Sequence, residues 1–301
     1  MTYYAGIDIG GTSIKMGVID ELGKVHQYEK VETPVEKIEL MNEILCFVQK
    51  NSSYHLEGVG VSMPGIITEE GYAQTSGAIK CFFRQNIKEQ LEEHLGLPVS
   101  IENDGKSAGL AEKWIGAAQN IDNFVCMTLG TAIGGSVFID GQLKKGLGGL
   151  AGEFGIALTS LDNPCSENSY ASHAATVGGL CRQYSYAIKE RILDAKVIIE
   201  KANSGDEIAQ KCLDDFYNAV AILAVNLSVI LAPEVIFIGG GISENEEVVQ
   251  KINEHYQKIC QEYRVLSIIN MPQLMTCQLK NHAGMIGAVY SFIVEHNKNF
   301  Q

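Results

Sequence analysis

The sequence has no C-x-x-C pair. Its eight cysteines (Cys46, Cys81, Cys126, Cys165, Cys181, Cys212, Cys260 and Cys277) stand singly within hydrophobic segments. That spacing excludes the paired-thiol zinc and redox motifs, and scattered thiols of this kind are small buried hydrophobes of a reducing compartment. The expected location is therefore cytoplasmic. Positive charge is also short: 23 Lys and Arg stand against 36 Asp and Glu, a formal net charge of −13. A surface so acidic repels nucleic-acid phosphates and anionic lipid, so neither nucleic acid nor a membrane is an expected partner. No apolar run reaches the roughly 20 residues of a spanning helix. The longest, 219–232, is interrupted by Asn226 and Ser228, stops at Pro233, and reads as a buried helix. The opening MTYYAGIDIG carries no basic segment ahead of an apolar one, so no signal peptide is expected. A Walker loop is missing as well, since the G-x-x-x-x-G-K-[ST] spacing occurs nowhere.

What is present is an ordinary globular composition, 46% hydrophobic and 20% charged over 301 residues, enough for two domains. Residues 3–9 alternate as a strand, turn at Gly10-Gly11-Thr12 and return over 14–19. Helical spacing follows Pro34 at Ile38, Met41, Ile44, Leu45 and Val48. Then come a buried strand over 56–62, a helix over 85–95, a short strand over 99–101 and a helix from about Asp104. The arrangement then starts again, with a strand over 124–129, a Gly130-Thr131 turn and a returning strand over 133–139. Long helices are expected over 174–191 and 206–231, then a strand over 235–238, Gly239-Gly240-Gly241, and a helix from about Glu244. Two hairpin-led halves predict an α/β protein of two related domains facing a cleft. The expected domains are 1–117, joined by a C-terminal helix at about 284–301, and 118–283.

Three glycine turns carry the first chemistry. In Asp8-x-Gly10-Gly11-Thr12-x-x-Lys15, glycines at a hairpin tip let backbone amides face phosphate oxygens, Thr12 adds a hydroxyl, and Asp8 suits Mg2+, directly or through water. A plain hairpin turn explains the same residues equally well. Gly130-Thr131, with Gly134-Gly135, is a second such tip, and the two together suit a triphosphate. Gly239-Gly240-Gly241, between strand and helix, admits either a flat ring or simply a tight turn.

Glu102-Asn103-Asp104 marks a strand-to-helix junction. Asp104 there is either a helix cap or a general base that takes a proton from a sugar hydroxyl. A helix N-terminus makes a carboxylate a weaker base, which is tolerable when the proton moves late. Glu153, in Gly148-Gly149-Leu150-Ala151-Gly152-Glu153-Phe154-Gly155, suits either sugar hydroxyls or plain solvation.

Together with Pro64-Gly65, Leu129-Gly130-Thr131 and Ile238-Gly239-Gly240-Gly241-Ile242, these motifs resemble the ROK family (repressors, open reading frames, kinases) in order and spacing. The resemblance implies the actin-like, hexokinase-type fold of two RNase H-like domains around a cleft. It implies Asp104 as catalytic base, with Gly65, Asn103, Glu153 and Asn168 at the sugar. It implies Gly10, Gly11, Thr12, Lys15, Gly130 and Thr131 at the phosphates, Gly239 and Gly240 at the nucleoside, and Asp8 at Mg2+. ATP and Mg2+ are the implied cofactors. Many members carry a zinc-binding His after G-E-x-G and a C-x-C-G-x-x-G-C run. Here Ile156 replaces the His and only Cys165 remains, so no zinc is expected. A second sugar-binding Glu of the family falls on Asn168, with Glu167 beside it. The repressors' N-terminal helix-turn-helix is not expected, because the phosphate hairpin starts at residue 3. The expected activity is phosphorylation of a primary hydroxyl (O6) of a β-glucoside or glucose. An N-acetylmannosamine kinase, a sugar-sensing regulator without catalysis and an actin-like ATPase are the rivals. Dimers are common in the family, and the sequence leaves the oligomeric state open.

Overall fold

The computed structural model describes residues 1–160 and 163–296. In chain order the elements are β1 (Tyr3–Ile9), β2 (Ser13–Asp20), β3 (Val25–Glu32), α1 (Lys37–Lys50), β4 (Val59–Met63), α2 (Ile87–Leu95), β5 (Val99–Asn103) and α3 (Asp104–Ile115). There follow β6 (Phe124–Leu129), β7 (Ile133–Ile139), β8 (Gln142–Leu143), α4 (Ala171–Ala174), α5 (Val177–Ile188), α6 (Ala195–Asn203) and α7 (Glu207–Leu231). The chain ends with β9 (Val235–Gly239), α8 (Glu246–Glu262), β10 (Gln273–Thr276) and α9 (Ala283–His296).

The first sheet has the order β3-β2-β1-β4-β5, and the second, β10-β9-β6-β7-β8, is the same order read from its other edge. In the first, β1 pairs antiparallel with β2 and parallel with β4. The repeated hairpin seen in the sequence is thus one part of a repeated five-strand topology. Contacts divide the chain into two compact units: Met1–Asp122, Ser136–Ala151 and Asn281–Gln301 form one, Asn123–Gly135 and Gly152–Lys280 the other. Residues 136–151, which the sequence assigns to the second domain, cluster with the first. Gly109 leaves room for Ser136 and Phe138 to close on α3, and Lys145 pairs with Glu102 at 3.0 Å.

In the first unit the strands bury Ile7, Ile9, Val61, Met63 and Ile101 with Leu40, Ile44 and Phe82. Helix α9 lies on β1, β4 and β5 and along α3. It comes close because Gly60 has no side chain where the Ala288 carbonyl sits, and Gly287 none where Ser107 sits. Residues 297–301 of the expected C-terminal helix lie outside the described residues. In the second unit α7 is long and apolar enough to span a membrane by length and composition, yet it packs on α5, α6 and α8 and buries Val220, Ala221, Ala224 and Leu227.

The expected helix over 174–191 is α5, Val177–Ile188, preceded by the short α4 that ends at Ala174. Thr176 leaves the helical path and caps α5, its hydroxyl accepting from the Gly179 N–H at 2.8 Å. Elements absent from the sequence expectation include β3, α6 and β10. Both strands edge their sheets and alternate weakly, and Gln273, Met275 and Thr276 of β10 are exposed.

Candidate active site

In the first unit the predicted residues converge at the C-terminal ends of the parallel strands β1, β4 and β5. Register places Asp8 opposite Ser62 and Ser62 opposite Glu102. The Asp8 carboxylate takes the Ser62 hydroxyl at 3.2 Å on Oδ1 and the Lys15 ammonium at 3.2 Å on Oδ2. Lys15 is therefore a partner of Asp8. The turn after β1 uses the Gly10 N–H internally, since it donates to the Ser13 carbonyl at 3.0 Å. This corrects the expectation that both glycine amides face a ligand: the exposed tip residues Gly11 and Thr12 are the backbone donors that remain there.

Asp104 is the first residue of α3, and Asn103 is the cap: its Oδ1 accepts from the Lys106 N–H at 3.1 Å. The other end of the Asn103 amide donates to the Gly65 carbonyl at 2.8 Å. Asn103 is only 3% exposed, so it acts as a strut between α3 and the Gly65 turn. Gly65 is held at φ +125°, against the Thr75 carbonyl. With capping done by its neighbour, the Asp104 carboxylate stays accessible to solvent and bonds only locally, accepting from the Gly105 N–H at 2.8 Å. Water reaches it, yet protein surrounds most of it. That loss of solvation is the largest influence and raises its pKa above the ordinary aspartate value, and the charge of Asp8 adds to it. The Gly105 N–H and the Lys106 ammonium act the other way. The expected weakening of this base by its helix is thus outweighed.

Glu102, on the opposite face of β5, is buried. Its Oε1 accepts from the Asn103 N–H at 2.9 Å and its Oε2 pairs with Lys145. Burial works against the Lys145 charge, but Glu102 outweighs it and the ammonium's pKa is raised. Two side chains that the sequence did not single out pin the glycine loop of this unit. Gln74 donates to the Gly148 carbonyl at 3.0 Å and Lys106 to the Gly149 carbonyl at 2.9 Å. Lys106 carried one legible signal, a cation in the first turn of a helix, where the dipole disfavours it.

In the second unit Gly130 and Thr131 form the β6–β7 turn. As at Gly10, the Gly130 N–H is used locally, donating to the Ala132 carbonyl at 3.0 Å, while its own carbonyl accepts from Val177 N at 2.9 Å. Thr131 is exposed at the tip. Gly239 is buried with its Cα against Cys277, and Gly240 turns at φ +88° beside the Leu129 backbone. Gly240 is therefore the exposed member of the pair. Glu153 is half-buried at the start of the 154–156 turn, with exposed Ile156 and Leu158 following it. Asn168 is exposed in the 167–169 turn. Among the described residues no group of three or more His, Cys, Asp or Glu is arranged to hold a metal.

The model of the ROK family matches residues 4–294. A β-glucoside kinase of Listeria monocytogenes is 32% identical over 300 residues, covering 98% of this chain and 99% of its own. A ROK family protein from Streptococcus pneumoniae, solved in complex with sucrose, superposes with a TM-score of 0.86 at 27% identity, covering 98% of this chain and 99% of that one. A ROK family glucokinase from Streptomyces griseus, solved with glucose and AMPPNP, superposes with a TM-score of 0.78 at 28% identity, covering 95% and 97%.

Proposed function

Because this chain belongs to the ROK family, we propose that it is an ATP-dependent sugar kinase that phosphorylates the primary hydroxyl (O6) of a β-glucoside, with Asp104 as the general base. One observation carries the chemistry: the carboxylate of Asp104 is accessible, is not used as a cap, and has a raised pKa. A carboxylate with a raised pKa is a stronger base and better matched to proton transfer than an ordinary aspartate. Asp104 takes the hydroxyl proton on a carboxylate oxygen as the sugar oxygen bonds to phosphorus, and phosphoryl transfer otherwise requires positioning and charge neutralisation. Asn103 orients that base through the cap and the Gly65 strut. Glu153 accepts hydrogen bonds from sugar hydroxyls, and Asn168 contributes a short polar group.

The residues present fit Mg2+ and ATP. Asp8 offers a carboxylate already held by Ser62 and Lys15, and the tips at Gly11-Thr12, Thr131 and Gly240 expose backbone where side chains are small or absent. Asp8 would hold the ion, directly or through water, and these tips the nucleotide. When bound, the metal nucleotide supplies the phosphoryl group and offsets its charge. The eight free cysteines support a reducing, cytoplasmic location.

The β-glucoside assignment rests on Ile156, 55% exposed, and Leu158, 46% exposed, beside Glu153. A site that demands a free hydroxyl leaves polar groups unpaired when the hydroxyl is missing, whereas an apolar surface carries no such penalty. The test is kcat/KM for cellobiose and for glucose with ATP and Mg2+. Cellobiose is expected to be phosphorylated at least as efficiently as glucose. A tenfold preference for glucose, about 1.4 kcal/mol in transition-state binding, ends the glycoside assignment. ATP turnover with none of a panel of sugars ends the kinase assignment.

A further inference from the structure

Lys106 breaks two rules at once. It is a cation in the first turn of α3, where the positive end of the helix dipole opposes it. It is also only 2% exposed, and a buried ammonium is costly to keep without partners. Local rules are broken most often where function demands it. The partner the geometry gives it is the Gly149 carbonyl at 2.9 Å. Gly149 is itself tightly seated: its φ is +87°, and a Cβ there would stand 2.5 Å from the Ile67 carbonyl oxygen.

The contacts close a ring around the start of α3. Asn103 donates to Gly65. The chain runs from Gly65 to Ile67, Ile67 backs Gly149, and Gly149 accepts from Lys106, three residues beyond Asn103. Gln74 adds a second fastening through Gly148 and is itself bonded to Ile66, its N–H donating to that carbonyl at 2.9 Å. The ring therefore holds the loop 147–151 in fixed relation to the carboxylate of Asp104, two residues before Lys106.

We propose that Lys106 is a positioning residue for phosphoryl transfer: its buried ammonium fixes the 147–151 loop against the Asp104 end of α3. This rests on the kinase assignment above.

The experiment compares Lys106→Met, Lys106→Gln and Lys106→Arg in the full chain. Readouts are kcat and KM for the sugar, KM for ATP, and hydrogen exchange of residues 147–151. Lys106→Met removes the donor to Gly149 and is expected to lower sugar kcat at least tenfold, leave KM for ATP within threefold and speed exchange in the loop. Lys106→Gln and Lys106→Arg keep a donor and are expected to recover slow exchange and most of kcat. Wild-type kcat in Lys106→Met overturns the proposal. So does a loss in Lys106→Met that raises KM for ATP as much as it lowers kcat, or that neither variant with a donor recovers, which marks a merely structural role. If Lys106→Met does not fold, the Gln and Arg variants carry the comparison. If the wild-type chain phosphorylates no sugar while Lys106→Met still loosens the loop, the kinase assignment fails and the tether stands.

Discussion

The carboxylate of Asp8 fills the space beside the Cα of Gly284, where a Cβ would stand 2.5 Å from Asp8 Oδ1. Asp8 is the last but one residue of β1 and Gly284 the second of α9, so the chain's last described helix buttresses one of the first residues proposed to act in catalysis. Gly284→Ala is expected to push Asp8 off Ser62 and Lys15, lowering kcat/KM at least tenfold. Crowding of this kind costs about 1–3 kcal/mol, so a modest fall in Tm is expected as well. Steady-state kinetics with a thermal melt checks this. Unchanged turnover would show that Asp8 tolerates displacement.

Asp104→Asn removes the proposed base while keeping its shape. It is expected to lower kcat by the 10²-fold or more typical of general-base loss, with ATP affinity nearly unchanged. A variant that keeps more than about a tenth of the wild-type kcat contradicts the assignment.

The pKa shift of Asp104 also sets two pH dependences. Catalysis needs the ionised form, so wild-type kcat/KM is expected to fall as pH drops through a pKa above the ordinary aspartate range. For stability the sign is opposite. The folded chain binds this proton more tightly than the unfolded chain. The resulting stability is present below the unfolded pKa and is lost as pH rises through the folded one. At neutral pH the ionised carboxylate is therefore a burden, and Asp104→Asn is expected to melt at the same temperature as the wild type or higher. A clear drop in Tm at neutral pH would refute that reasoning.

Gly240 turns at φ +88° against the Leu129 backbone, a conformation that a Cβ penalises by about 1–2 kcal/mol even without contact. Gly240→Ala is expected to raise KM for ATP several-fold and leave sugar KM nearly unchanged. Gly241, which has nothing within 4 Å of a built Cβ, is the control: Gly241→Ala is expected to bind ATP normally. Equal effects from both variants would remove the nucleotide role from this turn.

The family resemblance implies zinc ligands at positions where this chain has Ile156 and a lone Cys165. Metal analysis of protein purified without chelators is expected to find no stoichiometric zinc. Zinc at one equivalent, removed only with loss of the fold, would defeat that expectation.

Much of the fold was legible because its signals are local. The hairpin at Gly10-Gly11-Thr12, its echo at Gly130-Thr131 and the strand-to-helix junction at Asn103-Asp104 all depend on glycine turns, period-two alternation and capping chemistry. The short α4 ahead of α5 and the edge strands β3 and β10 were not legible. A hydroxyl leaving the helical path at Thr176, and weakly alternating exposed strands, write no strong period into the sequence.

Sequence alone determined which residue types stand at the strand ends and turns: Asp8, Asn103-Asp104, Glu153 and the glycine tips. Those follow from the order of residues along the chain and from the turns they make. Only the tertiary structure decided what each one does to the others. It made Asn103 rather than Asp104 the cap, turned the Gly10 N–H inward, set Lys15 on Asp8, brought Gly284 against the same carboxylate and buried Lys106 under Gly149. The partners of the last two lie far away in sequence, on α9 and on the 147–151 loop. Hydrogen-bond allegiance and solvation at Asp104 are properties of that packing, so no local pattern in the sequence encodes them.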